Sequence, residues 1–196
     1  ITTLWITPIV KNIEANMMEG DNGKQYGYHG YWAEDFTKLD PHLGNENDLK
    51  ELIDLLHENN IKLMVDVVLN HSGYGTKNQG PFVGMHRDES GTGDLESELA
   101  GLPDFKTEDK QVRDKIIKWQ VDWLKKLETD KGNSIDYFRV DTVKHVDQQT
   151  WIDFKSAVLE EDKDYHRQLS LWDISKGLQA VDNLQTSEYM ETLISD

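Results

Sequence analysis

Residues 61–69 constrain the fold most, because they are nearly all apolar and rich in valine. A strand of this composition is typical of a parallel sheet that is covered on both faces. Residues 45–60 precede it and repeat their apolar side chains with the period of a helix, with Asn45 or Asn47 available as the N-terminal cap. A helix that leads directly into a buried strand predicts a parallel βα unit.

The rest of the chain repeats this order. Residues 2–8 are β-branched and aromatic, which predicts a strand already in progress at residue 1, as expected of a cut start. Helical periodicity returns over 108–127 and 148–159, and residues 135–140 form a short strand candidate between them. The alternation of strands and helices predicts an α/β fold with parallel strands.

Two segments depart from this pattern. Residues 72–101 lose all periodicity and are rich in glycine, asparagine, serine and acidic residues, which predicts a long functional loop or a small inserted subdomain. Beyond residue 160 the pattern weakens. Residues 169–174 are a strand candidate there, and residues 177–194 predict one or two helices.

The composition excludes several classes of partner. The chain has 37 acidic and 21 basic residues, a net charge of -16, which repels phosphate backbones and anionic lipid surfaces. We therefore expect no nucleic acid and no membrane as partners. A neutral polyhydroxylated substrate or a divalent cation suits such a surface better, although acidity alone also serves solubility. Without cysteine the chain has neither disulfides nor thiolate chemistry.

The strand candidate at 135–140 leads into the chemistry. Strand alternation puts Tyr137, Arg139 and Asp141 on one face, with Asp141 at the carboxyl end, where βα barrels carry their catalytic groups. Arg139 favours the ionised form of a neighbouring carboxylate, and such a carboxylate is the nucleophile that covalent glycoside cleavage requires. The alternative, from this strand alone, is that Asp141 caps the next helix and pairs with Arg139.

Motifs in the sequence favour the catalytic reading. Residues 138–145 (FRVDTVKH), 66–71 (DVVLNH), 27–32 (GYHGYW) and 102–105 (LPDF) resemble motifs of glycoside hydrolase family 13, the α-amylase family, and occur in the family's order. The resemblance covers about residues 2–160. It implies a partial (β/α)8 TIM barrel, from the second strand to the fourth helix, with a small inserted domain B loop.

The resemblance also implies domain boundaries. Residues 1–71 would hold barrel strands 2 and 3, and residues 72–106 the domain B-like loop. Residues 107–160 would hold helix 3, strand 4 and helix 4. Residues 161–196 depart from the family pattern and form a divergent tail of uncertain structure.

The resemblance assigns roles to individual residues. Asp141 would be the nucleophile and Arg139 its electrostatic positioner. The substrate-binding residues would be Tyr31 as an aromatic platform, His71 and His29 as sugar contacts, and Lys144 and His145 on the leaving-group side. Asn70, Asp104 and the backbone carbonyl of His145 match the family's calcium position. Without the motifs, the alternatives are that Tyr31 is a core aromatic, Asn70 a turn residue and Asp104 a helix-entry carboxylate. Asp66 is expected to be a buried hydrogen-bond partner.

A retaining mechanism needs a second carboxylate about 5 Å from the nucleophile. The family's acid is a Glu that usually follows a glycine, and a later His-Asp pair stabilises the transition state. No Gly-Glu occurs after residue 145, and no His-Asp pair occurs in the chain. Asp173 is the best positional substitute, whereas Glu160 and Glu161 fit a solvated helix end. We therefore expect this chain alone to be inactive or only very weakly active.

These expectations define two functions. The first is a retaining α-glucan hydrolase of the α-amylase type, with endo cleavage of α-1,4-glucosidic bonds by an incomplete catalytic domain. The second is a non-catalytic sugar-binding or interaction subunit derived from the same barrel. The partners would be an α-glucan or oligosaccharide and either a second copy or the missing half of the barrel. The family favours an extracellular location.

Overall fold

The computed structural model describes residues 1–14, 18–20 and 23–162. The α-helices are α1 (Glu46–Glu58), α2 (Lys110–Lys126) and α3 (Gln148–Asp162). The strands are β1 (Thr3–Ile6), β2 (Val10–Asn12), β3 (Met18–Gly20), β4 (Gly23–Gln25), β5 (Ala33–Leu39), β6 (Lys62–Val68) and β7 (Tyr137–Asp141). The strand predicted at 169–174, the helices predicted at 177–194 and Asp173 all lie outside the described residues.

A three-stranded parallel sheet, ordered β1-β6-β7, is the framework of the fold. Thr3 pairs with Lys62 and Met64 with Tyr137, so consecutive βα units place neighbouring strands side by side. The predicted βα order is confirmed in each of these units. Differences occur at the ends, since β7 begins at Tyr137 and α3 continues to Asp162, three residues past the predicted end of the helix at residue 159.

The two faces of the sheet differ in chemistry. On the helix side, alternate residues of β6 and β7 are apolar and fully buried; they are Leu63, Val65, Val67, Phe138 and Val140. The helices cover them with residues such as Ile53, Ile116 and Phe154. The opposite face carries Trp5, Asp66, Arg139 and Asp141, and it holds the candidate site.

Helix α1 shows why its predicted start was correct. The Asn45 side chain accepts from the backbone N–H groups of Asn47 and Asp48, while the Asp48 carboxylate accepts from the Asn45 N–H at 2.8 Å. This reciprocal capping box satisfies backbone donors that have no partner within the helix.

Two antiparallel strand pairs were not predicted. Strand β2 pairs with β5 with irregular register, and β3 pairs with β4. Strand β5 contains Glu34, Asp35 and Lys38, so its sequence lacks a clean apolar alternation. Its burial depends on tertiary contacts, among them Phe36 against Phe82 and Phe105 of the loop. Among the described residues, no helix combines the length and apolar character that crossing a membrane requires.

Candidate active site

Arg139 lies between two carboxylates on the polar face of the sheet. Its Nη1 donates to Asp141 Oδ1 at 2.6 Å and to Asp66 Oδ2 at 3.0 Å. Strand register causes this, because Asp66 of β6 lies directly opposite Arg139 of β7, and Asp141 follows two residues later on the same face. The predicted contact between Arg139 and Asp141 is present. Asp141 keeps 20% of its side chain exposed, whereas Arg139 keeps 5%.

Asp66 is the buried carboxylate of this array and accepts hydrogen bonds from three side chains. Its Oδ2 accepts from Tyr31 Oη at 2.8 Å and from Trp5 Nε1 at 3.2 Å, besides Arg139. Burial raises the pKa of Asp66 to about 6, and the charge of Arg139 and the Tyr31 hydrogen bond oppose that rise. With its side chain wholly inaccessible, Asp66 anchors Arg139 and cannot reach a sugar oxygen.

The loop of residues 27–32 brings Tyr31 and His29 to the site. Their rings stack at 5.7 Å between centroids with 25° between planes, and the Tyr31 hydroxyl is committed to Asp66. Burial and the nearby carboxylate of Asp66 raise the pKa of Tyr31, so the hydroxyl keeps its proton. Asn12 holds the loop in place: its side chain donates to Gly30 O at 3.1 Å and accepts from Trp32 N at 2.7 Å.

His71 lies just beyond β6 and is buried, at 2% exposure. Its Nε2 has no hydrogen-bond partner within the part of the chain that the structure describes. Burial lowers the pKa of His71 to about 4, so the imidazole is neutral at pH 7. A buried polar nitrogen without a partner costs free energy unless a ligand satisfies it.

The predicted calcium ligands come together. The Asn70 amide lies 2.7 Å from the His145 carbonyl and 3.3 Å from Asp104 Oδ1. With its nitrogen toward them, Asn70 donates to both. With its oxygen toward them, three oxygens face one another, an arrangement that a hard cation stabilises. The described residues contain no cluster of three His, Cys, Asp or Glu side chains, so a carbonyl and an amide would complete such a site.

Backbone hydrogen bonds hold the 72–106 loop beside Asn70 and Asp104. Phe105 N donates to Asn70 O at 2.9 Å and Ser72 N to Pro103 O at 3.1 Å, which brings the end of the loop beside the end of β6. Burial raises the pKa of Asp104 to about 6, while Arg87 opposes the rise by donating from Nε to Oδ2 at 2.7 Å. Arg87 therefore holds one oxygen of Asp104 and leaves the other facing Asn70.

The two residues expected on the leaving-group side contact the loop instead of lying open. His145 Nδ1 lies 2.9 Å from the Asp94 carbonyl, and Lys144 Nζ lies 3.5 Å from the Asp94 carboxylate. Lys144 and Asp94 are both more than half exposed, so this ion pair is weak and easily exchanged for another partner. Asp94 was not identified from the sequence.

Comparisons with known proteins show which proteins the chain is similar to. The family model described as the catalytic domain of alpha amylase matches residues 1–82. An alpha-amylase of Saccharomycopsis fibuligera is 35% identical over 180 residues, covering 80% of this chain and 33% of the relative. The alpha-amylase mde5 of Schizosaccharomyces pombe is 35% identical over 176 residues, covering 78% of this chain and 31% of the relative. The chain thus spans about a third of the length of these curated relatives.

Solved structures give the same result. The alpha-amylase of Geobacillus thermoleovorans, complexed with acarbose, is 32% identical with a TM-score of 0.68, covering 84% of this chain and 35% of that one. The alpha-amylase of Malbranchea cinnamomea is 33% identical with a TM-score of 0.68, covering 80% of this chain and 35% of that one. Fold and site thus define part of a (β/α)8 barrel of the glycoside hydrolase class. Within that class, the chain belongs to the α-amylase family.

Proposed function

We propose that this chain carries the nucleophile half of a retaining α-glucan hydrolase. One observation supports the proposal above the others: Asp141, a partly exposed carboxylate at the carboxyl end of a parallel strand, is held at 2.6 Å by Arg139. This bond fixes one oxygen of Asp141. A carboxylate oxygen of Asp141 would attack the anomeric carbon of a bound sugar.

The proposed chemistry follows from these positions. A carboxylate oxygen of Asp141 bonds to the anomeric carbon, and the glycosidic oxygen departs with the bonding electrons and takes a proton from a second carboxyl group. Water then breaks the covalent intermediate. Asp66, the other carboxyl group that Arg139 contacts, does not suit this role, because it is enclosed by Arg139, Tyr31 and Trp5.

The sugar would lie against Asp141, His71 and Tyr31. A neutral His71 offers its unpartnered Nε2 to a hydroxyl. The rings of Tyr31 and His29 offer an aromatic surface to the apolar face of a pyranose. Lys144 and His145 would receive the leaving-group sugar once Asp94 releases them. The endo cleavage of α-1,4 bonds in starch is proposed from the family, as is a location outside the cytoplasm; one relative, 28% identical, is a periplasmic alpha-amylase of Escherichia coli.

An activated substrate tests the nucleophile without the acid. We would incubate the purified chain with 5-fluoro-α-D-glucosyl fluoride or its maltosyl form, whose fluoride departs without protonation. A bond should form between an Asp141 oxygen and C1 as fluoride leaves. Intact mass spectrometry should then show one added glycosyl unit, and peptide mapping should locate it on Asp141.

The matched control is Asp141→Asn, which keeps the shape of the side chain and removes its charge. Labelling that persists in this variant, or that maps to another residue, would contradict the assignment. Absent labelling together with measurable binding of maltoheptaose would favour the non-catalytic sugar-binding subunit.

A calcium ion is proposed to tie the loop to the barrel strands. Asn70 Oδ1, Asp104 Oδ1 and the His145 carbonyl fit a hard cation, because they are oxygen donors that already converge within 3.3 Å. Water would complete the coordination. The bound ion would neutralise Asp104, whose pKa is raised to about 6 by burial, and fix the loop beside the nucleophile strand.

Thermal melting with and without a chelator tests this site. Calcium should raise the melting temperature of the native chain, and Asp104→Asn should remove most of that increase. Equal midpoints of the native chain with calcium and with chelator would count against the ligand assignment.

The β1 edge of the β1-β6-β7 sheet suggests the remaining partner. Within the described residues, β1 pairs with β6 and with no other strand. Such an edge invites another strand, so we propose either the rest of the barrel or a second copy as its partner. Light scattering of the purified chain separates a monomer from a dimer.

A further inference from the structure

Trp5 contacts the catalytic array although no motif identified it. It lies on β1, and its Nε1 donates to Asp66 Oδ2 at 3.2 Å. The guanidinium carbon of Arg139 lies 5.3 Å from the centre of its ring. Register explains both contacts, because Trp5 pairs with Met64 and Asp66 is the next residue on that face.

We propose that Trp5 is a positioning residue for the Arg139–Asp141 pair. This inference rests on the proposed function. The indole face lies against the guanidinium and limits its rotation, while the indole N–H fixes the carboxylate that anchors Arg139 from below. Trp5 therefore acts on the nucleophile through Arg139 and Asp66.

The chemistry of arginine supports this role. A guanidinium that lies against an aromatic face keeps its N–H groups in the guanidinium plane available for carboxylates. The Arg139 Nη1 bonds to Asp141 at 2.6 Å and to Asp66 at 3.0 Å fit such an arrangement. Trp5 thus contacts both members of the Arg139–Asp66 ion pair, one through its indole N–H and the other through its ring.

Core packing alone does not explain Trp5. Its indole N–H donates to Asp66 and its ring faces the guanidinium of Arg139, whereas Trp123 is 1% exposed within the apolar core. Its polar contacts are with the charged residues next to the nucleophile.

The test is NMR of the arginine side chains. The chain has four arginines, so the Arg139 signals can be assigned with an Arg139→Lys variant. In Trp5→Leu the exchange of Arg139 Nη protons with water should rise about tenfold, the equivalent of about 1.4 kcal/mol. Arg113, which Asp153 holds at 2.7 Å, is the internal reference and should not change.

Two further variants separate the contacts. Trp5→Phe keeps a ring over Arg139 but loses the N–H donor, so the exchange rate should rise less and the Asp66 pKa should move above its value of about 6. This variant also decides the question if Trp5→Leu does not fold. Trp119→Leu removes another tryptophan that makes a cation–π contact, since Lys115 Nζ lies 4.8 Å from the centre of its ring. This variant should leave the Arg139 exchange rate and the Asp66 pKa unchanged.

Unchanged Arg139 exchange in Trp5→Leu, or an unchanged Asp66 titration together with unchanged exchange in Trp5→Phe, overturns the proposal. Equal effects from Trp119→Leu overturn it too, because they indicate general destabilisation. Labelling by the glycosyl fluoride separates this inference from the proposed function. If labelling occurs, Trp5→Leu should lower its maximal rate about tenfold at unchanged half-saturation. If labelling fails while Arg139 responds, the function is wrong and the positioning stands.

Discussion

His86 makes the stability of the 72–106 loop depend on pH. It is 1% exposed and stacks on Phe105 at 4.5 Å. Its Nδ1 accepts from the Asn78 N–H at 3.0 Å, so its Nε2 carries the proton and donates to Ser72 Oγ at 2.7 Å. A second proton would set an N–H against the N–H of Asn78. These two hydrogen bonds of His86 therefore require a neutral ring.

The size of the effect follows from the pKa. Burial lowers the pKa of His86 from 6.5 to about 4. The unfolded chain thus binds a proton at higher pH than the folded one, and stability falls as the pH drops below 6.5 and levels off below about 4. Between pH 7 and pH 5 this single group should cost about 2 kcal/mol of unfolding free energy.

The perturbation is His86→Phe, which keeps the ring and removes the titration. At pH 7 the variant should lose about 1–3 kcal/mol, because the Asn78 N–H has lost its acceptor. That loss should shrink by about 2 kcal/mol at pH 5, since only the native chain pays the cost of protonation. His71, Asp66 and Asp104, whose pKa values are also shifted, are common to both proteins and cancel in the comparison.

Urea unfolding followed by tryptophan fluorescence at pH 7 and pH 5 measures the difference. His42→Gln, which changes a largely exposed histidine outside the loop, is the control and should follow the native chain. If the variant lost as much stability as the native chain between the two pH values, the role of His86 would be wrong. Hydrogen exchange of residues 72–106 should report the same opening locally.

Three further predictions concern other parts of the chain. Asn45→Ala removes the side-chain half of the capping box of α1, while the N–H of residue 45 can still donate to Asp48, and it should lower the unfolding free energy by about 1 kcal/mol in urea titration. Gly73→Ala would place a Cβ 2.5 Å from the Trp32 carbonyl oxygen, so backbone must shift and the same titration should show a loss of about 1–3 kcal/mol. Assayed on soluble starch, the chain should release little or no reducing sugar, and robust release that Asp141→Asn abolishes would refute this.

Local periodicity explains which parts of the fold were predictable. The strands around residues 3–6, 62–68 and 137–141 and the three helices follow from the spacing of apolar residues, a property of each segment by itself. The contact of Arg139 with Asp141 is also local, since it needs only strand alternation. Strand β5 was missed because its burial depends on Phe82 and Phe105, which are distant in sequence.

The residues that organise the site were missed for a similar reason. Arg87 meets Asp104 only because the 72–106 loop returns to the sheet, and Asn12 meets Trp32 only because the intervening loop folds back. Trp5 meets Asp66 across two strands whose register the sequence does not specify. Arg87, Asn12 and Trp5 lie outside the four motifs, so the resemblance did not identify them.

The register of β6 and β7 also means that two carboxylates share Arg139. Because Asp66 lies opposite Arg139, the guanidinium divides its hydrogen bonds between the buried carboxylate of Asp66 and the partly exposed carboxylate of Asp141. Burial raises the Asp66 pKa to about 6, so Asp66 is neutral in mild acid and charged at pH 7. When Asp66 is neutral, more of the charge of Arg139 is available to Asp141; when it is charged, it competes. We therefore expect the protonation of Asp66, whose side chain is inaccessible, to set how firmly Arg139 holds Asp141.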